Sequence, residues 1–430
     1  MVDTLNRKEA PSLGNIDKVD FTKHTEYKLD NGIPVYVINA GNEDLLRIEM
    51  LFDAGDWEGN KPLLAATTNA MLNEGTKQNT GMELAEKIDY YGAFFQTDVT
   101  QDHAYVSLYS LNKHLESVVP FLKEIVLDSI FPEKEFKTQI QNRKQEWHVN
   151  NEKVSYLCRK NFNALIFGNN HPYSLKAEES DFDTLKRDDL VSFYDKYYKS
   201  DNCKIIVAGK ANESIVKLLN KQLGGNEWAG NEVKTISDFE IKSATDKKNF
   251  LGKDGAVQNA IRIGKRLFNK THPDYIGMTV LNTVFGGYFG SRLMTNIRED
   301  KGYTYGIGSG IASLMHDGIF YISTEVGEKV CNNALEEIYK ELNIIRKELI
   351  QEEELSLVKN YLMGNYLKSI DGPFALSDKF KGIMVYGLDY SYYDRYLDTV
   401  KNITSEQLLS LAKQYLDPDS MYELVVGKKS

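Results

Sequence analysis

The segment GGYFGSRLMTNIREDKGYTYGIGSG, from Gly286 to Gly310, joins a glycine-rich turn to two side chains able to hold a carbonyl oxygen. Arg298 carries a permanently charged, planar set of N–H donors, and Tyr305 carries a phenolic hydroxyl. Groups of that kind polarise a carbonyl or stabilise a developing oxyanion. Glycine-rich backbone also lets another chain approach closely. A plainer reading stands beside this one: Arg298 pairs with Glu299 or Asp300, and Tyr303 and Tyr305 pack within a strand. The seven histidines are His24, His103, His114, His148, His171, His272 and His316, and no two form an HExxH or HxxEH pair. A catalytic zinc site needs three protein ligands and an open position, and no local run supplies them. Cys158, Cys203 and Cys331 are scattered without a CxxC spacing, so they make neither a disulfide framework nor a thiolate zinc site, and a reducing compartment suits them. No GxSxG elbow, phosphate-binding loop or dinucleotide-binding fingerprint is present.

The elements that must position these residues occur twice. LVSFYDKYYKSDNCKIIVAGK ends at Lys210, and LLSLAKQYLDPDSMYELVVGK ends at Lys428, a gapless shift of 218 residues. Under it Leu190, Ser192, Tyr197, Asp201, Val207, Gly209 and Lys210 meet identical residues. Both windows read as a helix, a polar turn, a short apolar strand and a glycine. The amphipathic run from His114 likewise resembles the run from Asn332. Two matches in the same order make the chain a tandem duplication. Strands are expected at IPVYVINA, LLRIEMLFDAG, Ala93–Thr97, Ala104–Leu111 and AIRIGKRLF, and helices around Leu63–Leu72, Met82–Tyr91 and Leu115–Leu127. A helix through Leu293, Ile297 and Arg298 is expected to break at Gly302. Strands and helices are mixed without regular alternation, so the fold class is α+β: a duplicated mixed α/β domain whose two halves face a cleft. The expected boundaries are a first half over 1–223, a linker over 224–246 and a second half over 247–430.

The chain has 430 residues, 42% of them hydrophobic, enough for more than one core. Its 52 basic and 62 acidic residues leave a net charge of −10, which argues against binding nucleic acid or an anionic membrane surface. No apolar run of eighteen residues occurs, and the polar stretch MVDTLNRKEAPSLGNIDKVD has no secretory h-region. A cytoplasmic location is expected. The run YGLDYSYYDRY is tyrosine-rich but lacks a basic cluster, so helix packing is expected there rather than base stacking. Trp57 reads equally as a cleft residue or a packing anchor.

These motifs carry a resemblance. From about Tyr27 to Gly427 the chain resembles the pitrilysin/insulinase family of zinc metallopeptidases, of the mitochondrial-processing-peptidase type. NNHPYSL at Asn169–Leu175 resembles the family's His-Pro-Tyr segment. GSRLMTNIREDKGYTYGI resembles its second-domain motif, in which an arginine and a tyrosine seven residues apart hold the substrate carbonyl. That match implies substrate binding by Arg298 and Tyr305. The family's HxxEH zinc motif precedes a Met-Leu-x-x-Gly-Thr run, found here in KPLLAATTNAMLNEGT. In that register the two histidine positions fall on Ala66 and Ala70, and the glutamate base falls on Asn69. Glu146 stands at the third ligand's position, as a relic or an ordinary surface acid. Alanine offers no lone pair to a metal, and an amide is no general base. The resemblance therefore implies no metal bound by this chain and no catalysis by it alone. It implies a zinc-free subunit whose homologous HxxEH-containing partner supplies the zinc, with a peptide as substrate. The alternatives are an inert scaffold and a homologue, such as a homodimer, that binds peptides without cutting them.

Overall fold

The largely apolar run LLRIEMLF and the β-branched run CKIIVAG favour central strands, because both faces of a central strand are covered. The structure is a computed structural model and describes residues 21–59, 61–230 and 239–429. Residues 1–20, on which the expectation about a leader bears, and 231–238 of the expected linker lie outside the described residues. The first half contains β1 (Thr25–Lys28), β2 (Pro34–Asn39), β3 (Leu45–Phe52), β4 (Phe94–Val99), β5 (Ala104–Leu111) and β6 (Cys203–Gly209). They form one sheet in the order β1-β2-β6-β3-β5-β4. The second half contains β7 (Lys248–Gly252), β8 (Gln258–Leu267), β9 (Thr304–Ser313), β10 (Gly318–Gly327) and β11 (Tyr422–Gly427), ordered β7-β11-β8-β10-β9.

The duplication is visible in this topology. Strand β6 runs parallel to β2 and antiparallel to β3, and β11 runs parallel to β7 and antiparallel to β8. Ile206 lies opposite Glu49, and Leu424 lies opposite Arg262, so the 218-residue shift places Glu49 and Arg262 at equivalent sites. The repeated glycine closing each strand has a steric reason. Gly209 adopts φ 131°, and a Cβ there would lie 2.1 Å from the Leu45 carbonyl oxygen.

Each half lends a helix to the other. The helix Val154–Phe167 packs on β8 and β11, and its counterpart Pro373–Met384 packs on β6 and β2. Ile38, Ile206 and Ala208 of the first sheet accordingly belong to the second half's core with Phe380 and Ile383. Phe162 and Ile166 join Ala260, Leu424 and Val426 in a third core between the halves. The exchanged helix Pro373–Met384 is also ion-paired: Arg47 contacts Asp378 at 2.8 Å, and Lys381 contacts Glu49 at 2.8 Å.

The expected helices appear at Leu64–Ala70, Gly81–Tyr90 and Leu115–Leu127. The helix Gly81–Tyr90 starts where it does because Thr80 and Glu83 cap each other's backbone N–H groups. Among the described residues no helix is long and apolar enough to cross a membrane.

Candidate functional site

Arg298 belongs to a helical turn, Met294–Asp300, of the wider π type, and a second π turn spans Thr283–Gly287. The single α-helix expected through Leu293 and Arg298 is thus replaced by widened turns. The cause is the tight join to β9. Ile307 N donates to Met294 Sδ at 3.4 Å, and Asn282 bonds Ser309 through both side-chain and backbone groups. A Cβ on Gly286 would lie 2.5 Å from Ser309 Oγ and 2.7 Å from Ser309 N. Arg292 fixes the far side through a two-pronged bond to Glu354, both contacts 2.8 Å. Widened turns of this kind concentrate at functional sites.

Strand β9 is the last strand of its sheet, its outward groups at Tyr305, Ile307 and Ser309 bonded to Arg298, Met294 and Asn282, and its ladder to β10 slips where Arg298 approaches. Thr304 pairs with Val326 and Ile307 with Thr324, so Tyr305 and Gly306 together face Glu325. Such a bulge turns a side chain out of the regular alternation. Tyr305 is 93% exposed, and its carbonyl oxygen accepts a 2.9 Å bond from Arg298 Nε. The guanidinium also lies 4.6 Å from the ring centre of Phe289, itself an exposed aromatic. The Glu299 carboxylate is 3.8 Å from Arg298 Nη1, beyond hydrogen-bonding range. The structure therefore brings Arg298 and Tyr305 together and leaves the phenol in solvent. Strand packing does not account for Tyr305.

The degenerate helix lies in the other half. Leu64–Ala70 packs against Arg187–Tyr197, β4 and β5, whereas Met294–Asp300 packs against β9 and the helix Cys331–Lys347. Each group packs within its own half. Ala66 and Ala70 are half-buried, and Asn69 is fully buried. Asn69 Nδ2 donates to the carbonyls of Asp98 at 2.8 Å and Tyr105 at 3.2 Å, and Oδ1 accepts from the Tyr198 hydroxyl at 2.9 Å. These residues do not fit a zinc ion: two have no donor atom, and the third has committed its amide to the backbone and Tyr198. Among the described residues no group of three His, Cys, Asp and Glu side chains could hold a metal ion.

Glu146 is exposed on the helix Glu133–Asn151, and a side chain one turn earlier makes the contact instead. Arg143 Nη2 donates to the Ala66 carbonyl at 3.0 Å. Burial lowers the Arg143 pKa, opposed by the charges of Glu146 and Asp56. Burial, reinforced by Asp102, pushes the Asp56 carboxyl up to about 6, against the pull of Arg143. A guanidinium thus stands against the alanine-substituted helix. Nothing in the sequence marks this residue, because position 143 matches no motif.

The histidines do not converge on an ion. His171 and Tyr173 of the His-Pro-Tyr segment sit in the junction between halves. Tyr173 donates to Asp102 at 2.6 Å and accepts from the His316 backbone at 3.1 Å. Trp57 is buried and stacks 3.9 Å from His316, so it anchors packing in this junction. His171 stacks on Phe167, and burial with the charges of Arg266 and His316 lowers its pKa to about 4. His103 and His316 are lowered by burial as well.

Residues 38–177 match the family model described as Insulinase (Peptidase family M16), and residues 184–362 match the one described as Peptidase M16 inactive domain. A Bacillus subtilis protein named as an uncharacterized zinc protease, YmxG, is 23% identical over 83% of this chain and 86% of its own length. A Helicobacter pylori protein named as a non-peptidase homolog is 23% identical over 85% of this chain and 84% of its own. A crystal structure described as the peptidase M16 inactive domain from Pseudomonas fluorescens superposes with a TM-score of 0.84, at 22% identity, over 95% of this chain and 98% of that one. The two family models cover both halves, and the chain therefore belongs to peptidase family M16, the insulinase family, alongside homologues named as non-peptidases.

Proposed function

We propose that this chain is the zinc-free, substrate-orienting subunit of a heterodimeric zinc metalloendopeptidase. The observation that carries the reading is the pairing of Arg298 with a fully displayed Tyr305 on the last strand of the second sheet. Among the described residues the exposed phenol makes no hydrogen bond, and the guanidinium's outer nitrogens carry only a long ion pair to the adjacent Glu299, so both can reach a ligand. An extended peptide lying against the exposed face of Tyr305 would place a main-chain carbonyl beside these donors. Arg298 and Tyr305 would then orient and polarise that carbonyl. Zinc and the water-activating base would come from a homologous chain carrying the HxxEH motif, since Ala66, Asn69 and Ala70 supply neither. Three free, buried cysteines favour a reducing compartment, and we assign the chain to the cytoplasm.

The test is peptide cleavage by the complex isolated through this chain from its host. Arg298→Ala should lower turnover by a factor of ten or more, and Tyr305→Phe should act in the same direction. A chelator should stop cleavage, while the chain purified alone from another host should be inert. Unchanged turnover in both variants would leave the chain as an inert scaffold or a peptide-binding homologue.

A further inference from the structure

The exchange of helices builds two junctions that are alike in backbone and opposite in charge. In the first, Glu49 on β3 meets Lys381 at 2.8 Å, and Lys381 also lies 4.7 Å from the Tyr105 ring centre. In the second, the position of Glu49 is held by Arg262, whose guanidinium lies 4.3 Å from the ring centre of Tyr321. Tyr105 and Tyr321 are equivalent, each two residues before the serine opposite Glu49 or Arg262. The 218-residue shift equates Asp378 with Lys160 and Lys381 with Asn163. Two opposite pairs in one junction are replaced in the other by the cations Lys160 and Arg262, and among the described residues only Lys160 has a carboxylate partner.

A cavity of about 520 Å³ opens at this second junction, lined by Arg159, Lys160 and Lys176 from the first half and Arg262 from the second. Asp56 is the one carboxylate on its wall among the described residues. Lys160 and Lys176 share Glu178 at 3.7 and 3.8 Å, outside the lining. Arg262 has no ion pair or hydrogen bond among the described residues, and its Nε is buried without a partner. Withdrawing a guanidinium from water without a counter-ion is costly, and a bound anion relieves that cost. Leu63, Leu314, Ile319 and Tyr156 add an apolar and aromatic stretch of wall, beside the uncharged polar groups of Gln101, Asn163 and Ser174. A bare inorganic anion would leave that surface unused, whereas an organic carboxylate on an apolar group would cover it.

We infer that this cavity binds the C-terminal carboxylate of a short peptide ending in an apolar residue, with Arg262 as the carboxylate's partner and Arg159 at the rim. The site lies wholly within this chain and depends neither on a partner subunit nor on the role given to Arg298 and Tyr305. Tyr305 and the cavity-lining Ala312 are separated by seven residues of β9, roughly 23 Å of extended strand at about 3.3 Å per residue.

The test is calorimetric titration of the full chain with N-acetyl-alanyl-alanyl-phenylalanine as the free acid, and separately as its C-terminal amide. The free acid should bind at least tenfold more tightly than the amide. Arg262→Met keeps most of the stem over Tyr321 and Phe162 and should cost the free acid at least tenfold. Arg159→Gln changes an exposed side chain and should weaken binding severalfold without affecting folding. Equal affinity for acid and amide, or no binding of the acid by the unmodified chain, overturns the assignment. A third peptide, amidated at its terminus and carrying an internal aspartate, separates terminal from side-chain recognition. Binding of that peptide alone would give the cavity to an acidic side chain and overturn the C-terminal assignment.

Discussion

The Asn69 carboxamide donates to two main-chain carbonyls and accepts from a phenol, tying the helix Leu64–Ala70 to β4, β5 and Tyr198. A carboxylate in its place would face the Asp98 and Tyr105 carbonyls with no proton to give them. Asn69→Ala should cost about 2 to 4 kcal/mol, because it removes a partner from a buried hydroxyl and from two main-chain carbonyls. Asn69→Glu should cost at least as much, and urea unfolding of the two variants checks both. If Asn69→Glu is neutral, the position is still able to host the general base of an active relative. The histidines of the junction predict an acid response. His171, ordinarily near 6.5, is held at about 4. The unfolded chain therefore binds the extra proton first, and stability present above about pH 6.5 is lost as pH falls towards 4. His103 and His316, lowered by burial, add in the same direction. Asp56, raised from 3.8 to about 6, opposes them by losing stability as pH rises through that range. His24, lowered by burial, joins the imidazoles, and Glu74 and Asp317, raised by burial, join Asp56. The imidazoles' ordinary value lies inside the range between pH 5 and 7, so Tm should be lower at pH 5 than at pH 7, and His171→Asn should flatten the dependence. A Tm that is the same at both values would show that the junction is not stabilised by neutral imidazoles.

At the scale of elements, the widened turns and the bulged edge act as one device. The turns bring Met294 and Gly286 against β9, and the slip at Tyr305 and Gly306 presents the phenol outward. Gly286→Ala would drive a methyl group into Ser309 Oγ and its backbone nitrogen, so β9 must shift. The expected cost is about 1 to 3 kcal/mol of stability, with faster hydrogen exchange along β9. Unaltered exchange there would mean that the glycine does not set the strand's position. The approximate places of the Arg298 turn and its strand were legible in the sequence, because apolar spacing and glycines mark them. The π geometry and the bulge were not, since both follow from contacts between Met294, Asn282 and a strand ten or more residues away. Arg143 was likewise invisible: its partner is a main-chain carbonyl on a distant helix. Arg262 read as one more residue of an apolar strand run, and only the repeat's register exposes it as the counterpart of Glu49.

For the whole molecule, the duplication was readable because seven identical residues survive at one shift, and beyond the extra edge strand β1 both sheets follow the same strand order. What the halves exchange was not readable. Periodicity reports that the helix Pro373–Met384 has an apolar face but not which sheet that face covers. The exchange has a consequence for how the chain is made. Strand β6 is complete at Gly209, yet the helix that seals its sheet ends at Met384, 175 residues later. At about 5 to 20 residues per second, synthesis leaves Ile38, Ile206 and Ala208 uncovered for roughly 9 to 35 seconds. The first half therefore emerges from the ribosome with an open apolar sheet, a surface for chaperones to occupy. It closes only when its own duplicate has been translated.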